Sequence, residues 1–238
     1  MSTKYRDIYN DIKKQIEDGS LSSNSKIPDE ISLSKKYKCS RMTIKKALDL
    51  LVQEGLLFRK RGLGSFVMSS ADNKHKLILS ERELTGLTKQ LSNMKITSKV
   101  LDFHLVFADE KTARYLNIKP NDPLYSIWRL RFVQDTPYVL EKTYMNPAII
   151  PGITPDILNK SIYNYIEKDL GLRIGAAKKN LRACPSTEDD QKYLELKDRE
   201  PVLEVEQIAY LDNGVPFEYS FSRHRYDKFE FTTYSLRI

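Results

Sequence analysis

Two arginines, Arg129 and Arg131, stand two positions apart in the run Ser126-Ile-Trp128-Arg129-Leu-Arg131-Phe132 of this 238-residue chain. A strand alternates its side chains between faces, so Trp128, Leu130 and Phe132 fall on one side and both arginines on the other. Parallel guanidinium forks one repeat apart suit a phosphate or a carboxylate, each of which accepts side-by-side hydrogen bonds. Glu141 lies in the strand that the turn Gln134-Asp-Thr-Pro137 sends back alongside, where it can balance those charges or receive a ligand hydroxyl. Spacing alone equally permits a solvent-exposed pair.

A second group of residues is basic and clustered. Between Lys35 and Arg61 there are nine basic residues, Lys35, Lys36, Lys38, Arg41, Lys45, Lys46, Arg59, Lys60 and Arg61, against Asp49 and Glu54. The whole chain carries 39 − 32 = +7, of which residues 1–70 hold 14 − 8 = +6 and the remainder 25 − 24 = +1. Such segregation makes nucleic acid the first partner to consider, with a solvated basic face as the plain alternative. Arg41 can fork onto guanine O6 and N7, Thr43 suits thymine or phosphate, and Lys45 and Lys46 can neutralise phosphates.

These side chains need elements to hold them. Tyr5, Ile8, Tyr9, Ile12 and Ile16 recur at helical spacing, which predicts a first helix ending near Asp18 and Gly19. Asp29 is a suitable N-cap for a short second helix that turns Leu33 and Tyr37 inward. Lys38-Cys39-Ser40 leaves room only for a tight turn. Ser40 then caps a third helix whose apolar set is Ile44, Ala47, Leu48 and Leu51, with Arg41, Thr43, Lys45 and Lys46 opposite. Two helices joined by such a turn form a helix-turn-helix. Leu56 to Val67 alternates around Gly62-Leu-Gly64 as a hairpin wing with a basic tip, fit to lie in a minor groove.

After a polar linker at 71–78, residues 79–238 mix strands and helices. Thr97 to Phe107 is β-rich, Glu110 to Leu116 fits a helix, and Leu124 to Phe132 pairs with a strand through Tyr144. Ser161 to Leu170 reads as a helix stopped by Gly171, and Pro201 to Leu211 joins Val215 to Arg225 through Asp212-Asn213-Gly214. Strands connected by hairpins and flanked by helices give an α+β fold with an antiparallel sheet.

Several chemistries find little support. Cys39 and Cys184 have neither CxxC nor Cys/His spacing, so structural thiols are expected and no metal site. His75, His104 and His224 fall in no nucleophile or Walker motif, so an enzyme is not expected and no cofactor is implied. No window approaches eighteen consecutive apolar residues and the opening Met1-Ser-Thr-Lys-Tyr-Arg has no apolar stretch of the secretory kind, so a cytoplasmic protein without membrane contact is expected.

Pro28-Asp29-Glu30, Ser40-Arg41-Met42-Thr43-Ile44-Lys45-Lys46-Ala47-Leu48, Leu51-Val52-Gln53-Glu54-Gly55-Leu56 and Arg61-Gly62-Leu63-Gly64-Ser65-Phe66-Val67 resemble the DNA-binding domain of GntR-type bacterial repressors over residues 4 to 68. The resemblance implies a homodimer on a short palindrome of double-stranded operator DNA, with a winged helix-turn-helix in residues 1–70. It implies DNA-binding roles for Asp29, Glu30, Ser40, Arg41, Thr43, Lys45, Lys46, Arg61, Gly62 and Gly64. Ile31 replaces an arginine usual in the family, and Leu63 a commonly basic wing tip.

The segments Leu124 to Tyr144, Ser161 to Glu167, Asp212 to Tyr219 and Ser222 to Arg225 resemble the effector (UTRA) domain of the HutC subfamily, which has a chorismate-lyase-like fold. In sugar-responsive members the arginine pair and the serine of Ser-Ile-Tyr bind a phosphate, which here implies Arg129, Arg131 and Ser161. Glu141 and Glu218 match acceptors of sugar hydroxyls, Tyr163 stands in the same helix motif, and Thr88 and Lys89 lie in the loop over the phosphate. His224 stands where some members carry Tyr. The motifs are most similar to those of trehalose-operon repressors, whose inducer is trehalose 6-phosphate. The function implied is a carbohydrate-operon repressor released by a sugar phosphate; the alternatives are a regulator sensing a non-phosphorylated acid and an enzyme acting on a small anion.

Overall fold

The structure, a computed structural model, describes residues 4–60, 62–68, 77–79, 87 and 94–231. The chain divides into two compact units, Met1–Arg82 with Phe231–Ile238, and Glu83–Glu230.

In the first unit, α1 (Lys4–Glu17), α2 (Glu30–Tyr37) and α3 (Arg41–Gln53) precede the strands β1 (Leu57–Lys60) and β2 (Gly64–Val67). Ile8 and Ile12 from α1, Leu33 from α2, and Ile44, Ala47, Leu48 and Leu51 from α3 share one core with Leu57 and Val67. The apolar spacing read from the sequence is therefore the packing itself. The tight turn after α2 is made by Lys38 at φ +49, whose N–H returns to the Lys35 carbonyl. β1 and β2 pair as a hairpin from Leu57 opposite Val67 to Lys60 opposite Gly64. The loop before α2 joins that hairpin, since the Ile27 N–H donates to the Ser65 carbonyl and the Val67 N–H to the Ser25 carbonyl. A short strand, β3 (Leu77–Leu79), begins within the stretch expected to be linker.

The second unit is built on one six-stranded antiparallel sheet. Its elements run β4 (Ile96–Phe107), α4 (Glu110–Leu116), β5 (Pro123–Val133), β6 (Thr136–Met145), α5 (Pro155–Leu158), α6 (Ile162–Asn164), β7 (Ile174–Pro185), α7 (Glu188–Leu194), β8 (Pro201–Leu211) and β9 (Pro216–Arg225). The sheet order is β4-β5-β6-β9-β8-β7. The unit repeats itself: strands of 12, 11 and 10 residues with a 7-residue helix between the first two occur as β4-α4-β5-β6 and again as β7-α7-β8-β9. The two repeats meet where β6 pairs with β9.

Helices α4 and α7 cover one face. Ala113 and Leu116 pack on Leu124, Ile208 and Tyr219, while Leu194 packs on Leu130, Leu140 and Val202 beside Trp128. The other face lies under α5 and α6, where Leu158, Ile162 and Ile166 meet Ile127, Met145 and Ala209. Burying these side chains stabilises the layers by roughly 1.5 to 3 kcal/mol each before conformational entropy is counted.

One element differs from expectation. Ser161 to Leu170 is not a single α-helix, because only Ile162–Asn164 is α-helical and Tyr165–Asp169 winds as a π-turn. The wider turn accompanies burial of both Ile162 and Ile166 in the same core and ends at Leu170, whose N–H returns to the Tyr165 carbonyl.

Candidate DNA-reading helix and anion site

Ser40 starts α3 from extended backbone, and its Oγ accepts from the Thr43 N–H at 3.2 Å and lies 2.9 Å from Thr43 Oγ1. Thr43 is thereby pinned at the first turn. Arg41 and Lys45 are exposed beside it, and among the described residues neither makes a hydrogen bond or ion pair. Lys46 is differently placed, with its ammonium 4.2 Å from the centre of the Tyr5 ring. Asp29 caps α2 by accepting from the Ser32 N–H at 2.8 Å, and Glu30 lies 3.8 Å from the Arg59 guanidinium, which also holds Asp49. Both acidic residues are thus engaged within the domain. At the wing, Gly62 and Gly64 have φ of +76 and +110, and a Cβ at Gly64 would come within 2.9 Å of Lys26 Cε. Arg61 lies outside the described residues.

The arginine pair is not solvated. Arg129 and Arg131 are each 5% exposed, and Arg129 lies directly opposite Glu141 in the β5–β6 register. Arg129 Nη2 donates to Glu141 Oε2 at 2.7 Å, its Nη1 donates to the Leu158 carbonyl at 3.0 Å, and Arg131 Nη1 stands 3.6 Å from the same Glu141 oxygen. Arg129 also reaches the Lys160 carbonyl at 3.5 Å, next to Ser161. One carboxylate thus faces two guanidiniums, and Arg129 Nε is buried with no hydrogen-bond partner. Ser161 Oγ itself accepts from the Asn164 N–H at 3.3 Å. With only three α-helical residues behind it, the helix-dipole contribution expected there is small.

Further along the same face, Gln207 Nε2 donates to both Tyr163 Oη and Glu218 Oε1 at 3.0 Å, and Ser220 Oγ donates to Glu218 at 2.7 Å. His224 and Glu218 are buried on β9, opposite Val139 and Met145 of β6. Lys179 of β7 sits opposite Gln207. Environment sets their charges. Burial works against a charge on Glu141, but the Arg129 and Arg131 guanidiniums outweigh it and hold its carboxyl below the usual range. For Glu218 burial is the larger effect and raises its carboxyl, against the hydrogen bonds from Ser220 and Gln207 and the Arg129 charge. Burial also pushes His224 down to about 3, against the opposing pull of Glu141, so the ring is neutral at physiological pH. Burial of Tyr163, reinforced by Glu218, keeps its phenol protonated.

Residues 4–67 match the bacterial regulatory proteins of the gntR family and residues 91–230 match the UTRA domain. The chain belongs to the GntR family. It is a DNA-binding transcriptional regulator, with a UTRA domain as its second unit. It is 47% identical to the transcriptional regulator GmuR of Bacillus subtilis, over 98% of this chain and 99% of that one. It is 29% identical to the mannosyl-D-glycerate transport/metabolism system repressor MngR of Escherichia coli, over 98% and 96%. The crystal structure of the B. subtilis transcriptional regulator YydK superposes with a TM-score of 0.81 at 30% identity, covering 99% of this chain and all of that one. No helix among the described residues of this regulator is long and apolar enough to cross a membrane.

Within the UTRA domain, Arg129, Arg131, Glu141, Tyr163, Glu218 and His224 share one side of the sheet, with Ser161 at the edge of the overlying segment. Thr88 and Lys89 lie outside the described residues. Sequence reasoning missed Gln207, Ser220 and Lys179. Gln207 was findable as the polar residue on the inward side of an otherwise apolar alternation in β8; Lys179 was not, because Ile174–Pro185 lacks strand periodicity.

Proposed function

We propose that this regulator is a homodimeric repressor of a carbohydrate-utilisation operon, acting in the cytoplasm and released from a palindromic operator by a phosphorylated sugar. The observation that carries this reading is the buried pair Arg129 and Arg131, with two cationic forks facing one internal carboxylate. Two guanidinium forks side by side on one strand face, in a poorly solvated place, form the donor set that a phosphate accepts from. Ser161, Thr88 and Lys89 complete the phosphate side, while Glu141, Tyr163, Glu218 and His224 face the sugar. On the DNA side, Arg41 and Thr43 read bases, Lys45, Lys46 and Arg61 meet phosphates, and Gly62 and Gly64 let the wing approach the minor groove. Ser40, Asp29 and Glu30 act by holding those residues in place, since a carboxylate so close to phosphates would be repelled.

Release follows from linkage: an effector that favours the dimer form with misaligned DNA-reading helices weakens operator affinity by its preference for that form. A coupling of about 1 to 3 kcal/mol gives roughly a 5- to 150-fold loss. Titrating operator binding with trehalose 6-phosphate and glucose 6-phosphate tests the reading, and unchanged affinity with both rejects a sugar-phosphate effector.

A second reading has a specific support. The name of MngR concerns a sugar acid, mannosyl-D-glycerate, and a carboxylate fits the same two guanidiniums. Retention of inorganic phosphate binding after replacing both Arg129 and Arg131 with Ala would favour this alternative.

A further inference from the structure

Among the described residues of 4–68, three large hydrophobic side chains are left exposed: Ile31 at 51%, Met42 at 71% and Leu63 at 50%. Apolar side chains scattered singly over a surface are ordinary. These three are not scattered. Ile31 is the second residue of α2, Met42 is the second residue of α3, and Leu63 stands at the tip of the β1–β2 hairpin. The longest helix of the unit, α1, leaves none exposed.

Cations surround them. Met42 shares an outward stripe of α3 with Lys45 and Lys46, three and four positions on, and Ile31 shares one of α2 with Lys35, four positions on; all five side chains are exposed. The two stripes meet at the wing. Arg59 of β1 holds Asp49, seven positions along from Met42, and stands 3.8 Å from Glu30, the neighbour of Ile31. Apolar groups set among lysines fit a surface that is anionic at its rim and carries methyl groups within. The major groove of duplex DNA is such a surface, since phosphates flank it and each thymine presents a C5-methyl there. Guanine fits poorly against Ile31, because its O6 and N7 acceptors would lose water and gain no donor.

We propose that Ile31 and Met42 read thymine through its methyl group in the major groove, adding a specificity element to the guanidinium of Arg41. This rests on α3 as the DNA-reading helix. Leu63 has a different place, since the wing reaches the minor groove, where no methyl is displayed.

The test is fluorescence anisotropy of the full-length protein on a duplex that the wild type enriches from a randomised library. Each thymine of that duplex is replaced in turn by deoxyuridine, which lacks only the methyl. At one or more positions the replacement weakens wild type about three- to fivefold, the worth of one buried methyl. Ile31→Ala and Met42→Ala each lose that response at their own thymines, and both melt like wild type because the sites are exposed. Ile31→Arg exchanges a preference for thymine for one for guanine at its position, and Leu63→Ala keeps every response. Methyl reading is overturned if no replacement matters to wild type, if both alanine variants keep the wild-type responses, or if Leu63→Ala loses them too. If no duplex is enriched, or if Arg41→Ala leaves base preference intact, α3 is not the reading helix and the methyl contacts fall with it. If Arg41→Ala relaxes base preference while the deoxyuridine series is flat, the methyl contacts alone fail.

Discussion

Arg129 and Glu141 face each other across β5 and β6, with 2.7 Å between Nη2 and Oε2 and little access to solvent on either side. Glu141 is also 3.6 Å from Arg131, so it partly neutralises the two cations to which an incoming anion would be drawn. A phosphate bound there would compete with Glu141 for the same guanidiniums.

The Glu141→Gln variant separates these two roles. Removing the internal negative charge leaves two buried cations facing each other, and the unliganded protein should melt lower. Inorganic phosphate then meets less repulsion, about 1 to 3 kcal/mol at an effective dielectric near 20. Its binding should tighten and its stabilisation of the melting temperature should grow, as differential scanning calorimetry with and without phosphate will register. An unchanged phosphate affinity would place the anion elsewhere.

His224 makes stability depend on pH in a defined direction. Its folded pKa is pushed down to about 3 by burial, whereas the unfolded ring titrates near 6.5. Between those values the unfolded chain binds more protons, so stability is full above about pH 6.5 and falls as the solution is acidified. The slope approaches about 1.4 kcal/mol per pH unit. Glu141, also depressed, adds to it only below the ordinary carboxylate range. Denaturant titrations of wild type and His224→Gln between pH 4.5 and 6.5 should therefore differ by about one proton's slope.

Asp190 anchors α7 to the sheet. It is fully buried, accepts from Arg223 Nε at 3.0 and 2.9 Å, and closes the capping box with Thr187. Asp190→Ala leaves Arg223 to Glu204 and the Pro185 carbonyl but removes the cap and one charged hydrogen-bond partner, and should cost about 1 to 3 kcal/mol. Asp190→Asn keeps the acceptor for the cap and should cost less. Urea unfolding midpoints distinguish the two.

The candidate DNA-reading helix α3 offers a test of role against position. Arg41→Ala should cost about 1 to 3 kcal/mol on the preferred duplex and relax base preference, while Lys45→Ala should weaken all duplexes alike and reduce the salt slope by about one. Lys46→Ala should also lower thermal stability, because its ammonium rests on Tyr5. Ser40→Ala should cost about 1 kcal/mol of stability through the lost cap, whereas Ser40→Asp keeps the cap and adds a charge facing phosphates. If Ser40→Asp binds duplex as well as wild type, Ser40 lies away from the DNA backbone. Fluorescence anisotropy across a salt series measures each of these.

The DNA-binding unit was almost wholly legible in the sequence because each of its elements carries a local signal. Asp29 and Ser40 sit at helix starts, and Ile44, Ala47, Leu48 and Leu51 mark the buried stripe of α3. In the second unit, β5, β6, β8 and β9 were legible for the same reason, having clear alternation and short turns. β7 was not. It is an edge strand with much of its length exposed, and Lys178, Lys179 and Asn180 give it no period. Its one inward cation therefore carried no sign of its direction. The burial of Arg129 and Arg131 was equally hidden, since it depends on α5 and on the Leu158 and Lys160 carbonyls some 30 positions downstream.

The repeated layout of the sheet also bears on how it assembles. Within each repeat the paired strands β5–β6 and β8–β9 are close neighbours in the chain and can zip through their own turns. The seam between β6 and β9 instead joins Val139 to His224, 85 positions on. Closing so long a loop carries an entropic cost that local hairpins avoid, and contacts of this range slow folding. On this topology the two meanders are expected to form first and to dock along β6 and β9 last. Because Glu141 and His224 lie on the two sides of that seam, an effector bound between them would act as a clasp on the least local joint of the domain.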